Sequence, residues 1–133
     1  MPASEADEVP GEGLAVAAES LYLVNLLLAP GLAFAVLLWL YLRRVNTAPP
    51  LARCHLRQTL SASLWAGVLL VAANAVIILL GGYTAPYTWV VAVLYFLCCH
   101  AALVMFGALG LAKALAGRPY RYPLIGRACP EFA

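Results

Sequence analysis

The chain holds two histidines and four cysteines, and their placement decides which chemistry is open to it. Cys98, Cys99 and His100 stand side by side in the apolar run LYFLCCHAALVMF, while Cys54 precedes His55 in a basic stretch. Two thiols beside an imidazole suggest zinc or iron. Successive residues of a helix point about 100° apart, however, so the triplet spreads over roughly 200° and cannot close on one ion. The two cysteines then read as small polarizable packing residues. A zinc site built from Cys54, His55 and Cys129 lacks a fourth ligand. No disulfide is expected either, because Cys54 and Cys129 are assigned to a reducing cytoplasmic side and Cys98 and Cys99 to lipid. His100 is left as a candidate cofactor residue, donating to a haem b or a quinone shared with another subunit. His55 sits at a different depth, so the two histidines do not ligate one iron. The competing reading of His100 is a neutral side chain hydrogen-bonded to a neighbouring helix.

Other chemistry finds little footing. No carboxylate occurs between Glu19 and Glu131, which leaves the inner half of the membrane without a positioned proton carrier. Phosphate loops, nucleophile elbows and HExxH motifs are missing from the sequence. Eight basic residues spread along the chain serve topology before nucleic-acid binding. Neither a catalytic residue nor a small-molecule substrate is identified.

The elements that must carry these residues are set by composition. With 65% hydrophobic and 11% charged residues, the chain is an integral membrane protein. Crossing a hydrocarbon core about 30 Å thick takes roughly 20 helical residues. Three stretches qualify, at about 21–42, 59–80 and 87–111, and lipid forces each of them to be helical. The expected fold is therefore all-α, with three transmembrane helices and a short interfacial helix over 51–60. Residues 1–20 carry five acidic side chains and no basic one, whereas Arg43, Arg44, Arg53 and Arg57 lie between the first two spans and Lys113, Arg118, Arg121 and Arg127 follow the third. Basic residues stay inside, which puts the amino terminus outside and the carboxyl terminus in the cytoplasm of a bacterial inner membrane. The chain divides into a largely disordered external tail (1–20), a membrane domain (21–112) and a basic cytoplasmic tail (113–133). Pro30 and Gly31 should bend the first span near its middle.

Polar and small residues within the spans mark helix contacts. Asn25 and Asn74 lie at similar depth and can hydrogen-bond to each other, while Gly67, Gly107 and Gly110 permit close approach of a second helix. Three helices cannot bury all their apolar faces on one another, so the lipid bilayer and other integral membrane subunits are the expected partners.

The segment HLRQTL (residues 55–60), two spans and then AKALAGRPYRYPLIGR (residues 112–127) resemble a widespread family of small bacterial membrane proteins of unknown function. Members of that family look distantly like the chloroplast inner-envelope protein-import component. The positions matching the family pattern are His55, Arg57, Gln58, Gly117, Tyr120, Tyr122 and Pro123. The resemblance implies a small helical bundle without catalysis and suggests protein transport. Both elements fall on the cytoplasmic face, where His55, Arg57 and Gln58 are expected to hold the tail around Tyr120, Tyr122 and Pro123 as a docking platform. The function expected is that of a non-catalytic accessory, stabilising or assembly subunit of a larger membrane complex. An electron-transfer anchor using His100 and a component of a translocation channel are the alternatives.

Overall fold

The computed structural model describes residues 9–132. Most of the acidic opening of the chain, residues 1–8, lies outside the described residues, so the expectation of a disordered tail concerns segments not described. Residues 12–20, assigned to the same tail, are helical instead. The chain forms α1 (Glu12–Leu27), α2 (Leu32–Arg44), α3 (Pro50–Leu79), α4 (Thr88–Leu94), a six-residue π-helical segment (Tyr95–His100) and α5 (Ala101–Leu115). The last three run on as one helix of 28 residues.

The first apolar stretch does not span. Pro30 has no N–H to offer and crowds the preceding turn, and Gly31 takes φ 85°, a left-handed backbone that suits glycine. Asn25 Oδ1 accepts the Gly31 N–H at 3.0 Å, fixing the reversal. The result is a helical hairpin in which Ala18 of α1 and Leu37 of α2 pack together against Ala48, Ala52 and Leu56. Arms of 16 and 13 residues reach only about 24 and 20 Å, short of a hydrocarbon core. Two helices, not three, are long and apolar enough to cross: Pro50–Leu79 and Thr88–Leu115.

The hairpin also moves the start of the chain. Gly11 faces Pro49 and Ala52, where an added Cβ would come within 3.0 Å of Ala52, and Val9 lies against Gly117. The beginning of α1, the beginning of α3 and the end of α5 thus gather at one end of the bundle. The expectation of termini on opposite sides drew on the basic residues and on an odd number of spans, and two candidate spans do not supply the second support.

No separate interfacial helix forms at 51–60. Pro50 opens α3 at a position where its missing N–H costs nothing, and the helix continues unbroken for 30 residues. Leu51 and Leu56, which an interfacial helix would leave to the acyl chains, are covered by the hairpin and are 2% and 0% exposed. Tyr22 is buried in the core and donates to the carbonyl of Leu103 at 3.0 Å. Burial is concentrated at this end. Farther along, α3, α4 and the π-helical segment present Val71, Leu79, Trp89 and Leu97 outward, as lipid-facing surfaces do.

Candidate functional site

The site is built on the first three turns of α3. Cys54, His55, Gln58, Ser61 and Ala62 recur at spacings of three and four, so they share one face, and the chain after α5 folds back along it. Gln58 is fully buried, and its amide stands in for a neighbouring strand. Oε1 accepts the N–H of Tyr122 at 3.3 Å and of Arg127 at 3.0 Å, while Nε2 donates to the carbonyl of Arg127. Ser61 Oγ donates to the carbonyl of Ile125 at 2.7 Å. Gly126 N–H closes a turn on the carbonyl of Tyr122 at 3.1 Å. A Cβ at Gly126 would come within 2.7 Å of the Tyr122 nitrogen and also strike Gln58, so only glycine fits there.

Cys54 and Cys129 complete the latch as a disulfide, with Cα atoms 5.3 Å apart. This corrects the expectation of four unpaired cysteines. That expectation came from an assumed compartment, whereas the returning tail brings two residues 75 apart in sequence face to face. Cys98 and Cys99 remain free.

Beneath the tail lies a buried polar cluster. His55 Nδ1 sits 2.6 Å from Glu19 Oε1, His55 Nε2 sits 2.9 Å from the carbonyl of Arg118, and Tyr122 Oη donates to Glu19 Oε2. A carbonyl only accepts, so Nε2 must carry a hydrogen. One proton is then shared between Nδ1 and Glu19. Burial pushes the Glu19 carboxyl above its usual range, against the opposing pull of the His55 and Tyr122 hydrogen bonds. That burial favours the protonated form of Glu19, in which its O–H donates to Nδ1 and every polar atom of the cluster is paired. Burial, then the neighbouring Glu19, pushes the Tyr122 hydroxyl far up as well, which keeps it a donor.

Gly110 makes room for the Glu19 carboxyl, and Gly107 lets Tyr22 and Leu23 approach to where a Cβ would be 2.7 Å away. Gly67 differs: nothing lies within 4 Å of its missing side chain. Within the chain no helix packs directly on it; it lines an open cleft with Asn25, Pro30 and Gly31. Asn25 and Asn74 do not meet. Asn74 instead donates to the carbonyl of Leu70 at 2.8 Å and accepts from Tyr83 Oη at 2.7 Å.

The remaining sequence-derived residues fall in three places. Tyr120 stacks at 5.5 Å on Tyr122, and Pro123 is exposed on the tail turn. Arg57 reaches only the rim, 4.0 Å from Glu131, which Arg53 holds more closely at 3.2 Å. A backbone hydrogen bond and these two guanidiniums keep the Glu131 carboxyl below its usual range. His100 is far from this cluster and stands with Phe96 across 5.3 Å. Glu19 and Ser61 were not singled out, and Cys54 and Cys129 were weighed only as ligands of an incomplete zinc site. Glu19 carried a legible signal: a lone carboxylate within AVAAESLYLV, on the same face as Ala15 and Ala18, needs a buried partner.

Around the latch, Arg43, Arg44, Lys113, Arg118, Arg121 and Arg127 are exposed. The tail turn presents Leu124 at φ 65° with its side chain wholly in the open. Among the described residues no cluster of His, Cys, Asp and Glu is arranged to hold a metal ion.

Fold and site together define a small helical membrane protein, with two spanning helices, a hairpin that enters and leaves at one end, and a tail latched over a buried polar cluster. The chain belongs to the MamF/MmsF family, the magnetosome magnetite crystal formation protein family, whose model matches residues 12–129. That match runs from the first residue of α1 to the disulfide cysteine of the tail. No curated protein and no solved structure matches the chain. The coarser part of the sequence resemblance, to a family of small bacterial membrane proteins, stands, and the likeness to the chloroplast import component finds no support in these comparisons.

Proposed function

We propose that this chain is a non-catalytic accessory subunit in magnetite crystal formation, and that it docks other integral membrane proteins of that apparatus on its latched tail. The observation that carries this reading is Leu124. A non-glycine residue at positive φ is strained, and a fully exposed leucine buries none of its apolar surface. Both features persist because Gln58, Ser61 and the disulfide fix the turn on either side. A tail with no partner would gain by relaxing. Exposed basic side chains surround Leu124, which suits anionic headgroups and acidic segments of partner proteins. By the positive-inside rule this end faces the cytoplasm of a bacterial inner membrane, where reduction of the disulfide leaves Gln58 and Ser61 to hold the tail. A translocation-channel role has only the sequence resemblance behind it.

Purification of the full chain from magnetite-forming cells in mild detergent tests the reading. The wild type should carry a defined set of integral membrane proteins, and Leu124→Asp should deplete that set while leaving the chain folded. A wild-type chain that purifies alone, or a set unchanged by the substitution, contradicts it.

A further inference from the structure

About one to two turns deeper than the latch, the hairpin reversal, α3 and the π-helical segment enclose a cleft of about 440 Å³. That volume is within the range of small-molecule sites. The walls are apolar and aromatic, with Phe34, Phe96 and the ring of Tyr95 among them, and besides the Tyr95 hydroxyl three polar side chains interrupt them: Asn25, Ser63 and His100. All three have hydrogens to give. Ser63 Oγ is buried and lacks a partner among the described residues, although a helical serine can bond back to the carbonyl four residues earlier. Asn25 uses its Oδ1 on Gly31, which leaves the Nδ2 hydrogens for the cleft. A neutral imidazole carries one N–H in either tautomer, and His100 makes no hydrogen bond among the described residues, only its edge contact with Phe96.

The π-helical segment explains how His100 comes to be there. Residues five apart in an α-helix point about 140° away from each other, whereas hydrogen bonds from i to i+5 bring them toward one face. Tyr95 and His100 are five apart, and both line the cleft. Six π-helical residues give up regular packing, and the result here is one imidazole turned into an apolar pocket beside two other donors.

We propose that this cleft binds a planar, membrane-soluble molecule of the quinone class, whose carbonyl oxygens accept from Ser63, His100 and Asn25. A bare acyl chain would fill the volume but leave the donors unmatched. Haem fits poorly, because its propionates need basic partners and no Lys or Arg lines the cleft. The assignment is one of binding and stands apart from the docking role of the tail.

The test uses the full chain in nanodiscs of ester-linked phospholipid and, separately, of ether-linked phospholipid, which has no carbonyl groups. Decylubiquinone is titrated into both, and its carbonyl stretching band is followed by infrared difference spectroscopy. The cleft predicts saturable one-site binding in both bilayers and a band shifted to lower wavenumber. Ser63→Ala and His100→Phe, which keep helix and ring, should each weaken binding about tenfold and reverse part of the shift. Leu70→Trp, which fills the cleft, should abolish binding while the tail stays protected from protease. Absence of saturable binding in both bilayers overturns the proposal, as does binding that all three variants leave unchanged. Binding seen only in ether lipid assigns the cleft to lipid ester carbonyls instead, and overturns the quinone assignment.

Discussion

His55 Nδ1 lies 2.6 Å from Glu19 Oε1, across 36 residues of sequence, with both side chains fully buried. The pair ties α1 to α3, and through Arg118 and Tyr122 it ties both to the tail. Removing one partner leaves the other buried and unmatched. His55→Leu should therefore cost about 1–3 kcal/mol for each polar group left unpaired, whereas Glu19→Leu with His55→Leu should cost clearly less than the two single changes summed. Thermal unfolding of the detergent-solubilised chain measures all three, and additive losses would show that the two side chains do not act together.

The same pair gives stability a pH dependence with a definite sign. Burial raises Glu19 above its ordinary value of 4.5, so the folded chain keeps a proton that the unfolded chain has released. Stability from that proton is complete below about pH 4.5 and is lost as pH rises through the raised value. Glu19→Gln cannot titrate, yet its amide can donate to His55 and its carbonyl can accept from Tyr122. Melting temperature measured upward from pH 4.5 should fall more steeply in wild type than in Glu19→Gln. Parallel curves would place the titration elsewhere.

What was legible in the sequence follows from which forces act locally. Hydropathy and length identify α3 and the Thr88–Leu115 helix, because lipid leaves a long apolar stretch only one backbone solution. The Leu21–Leu42 stretch passes the same count and yet folds as two short arms, since Pro30 and Gly31 allow a reversal as readily as a bend. Deciding between the two takes the tertiary packing of Leu37 on Ala18. Sidedness was read from the basic residues and a disulfide was excluded because that side was taken as reducing, whereas the contact of Cys54 with Cys129 comes from the fold-back of the tail, which no local signal marks. His55 and Gln58 were picked out by a motif, but the motif does not reveal Glu19 as the partner, which the hairpin alone brings within reach.

Gln58 and Arg57 are neighbours in sequence with opposite fates. Gln58→Ala strands the N–H of Tyr122 and both backbone groups of Arg127, at about 1–3 kcal/mol for each group left unpaired. Arg57→Ala removes a contact at 4.0 Å on the rim, where exposed pairs contribute little. Limited trypsin digestion should thus release the tail at Arg121 or Arg127 in reduced Gln58→Ala and leave reduced Arg57→Ala as resistant as reduced wild type. Equal resistance of all three would remove Gln58 from the latch.

The hairpin makes a prediction about the whole chain. Val9 and Gly11 share one end of the bundle with Gly117 and Pro49, so reporters placed at the amino and carboxyl termini should respond from the same side. In the orientation proposed above, that side is the cytoplasmic one. Reporters on opposite sides would restore a three-span arrangement.

The central claim, that the latched tail is the working surface in crystal formation, is tested most directly by complementation in a magnetite-forming host lacking this chain. Leu124→Asp and Gln58→Ala are supplied at wild-type membrane levels, and crystal dimensions are measured by electron microscopy. The account predicts that both variants fail to restore wild-type crystal size while the chain remains in the membrane. Full restoration by Leu124→Asp, or by Gln58→Ala with a demonstrably released tail, would contradict it.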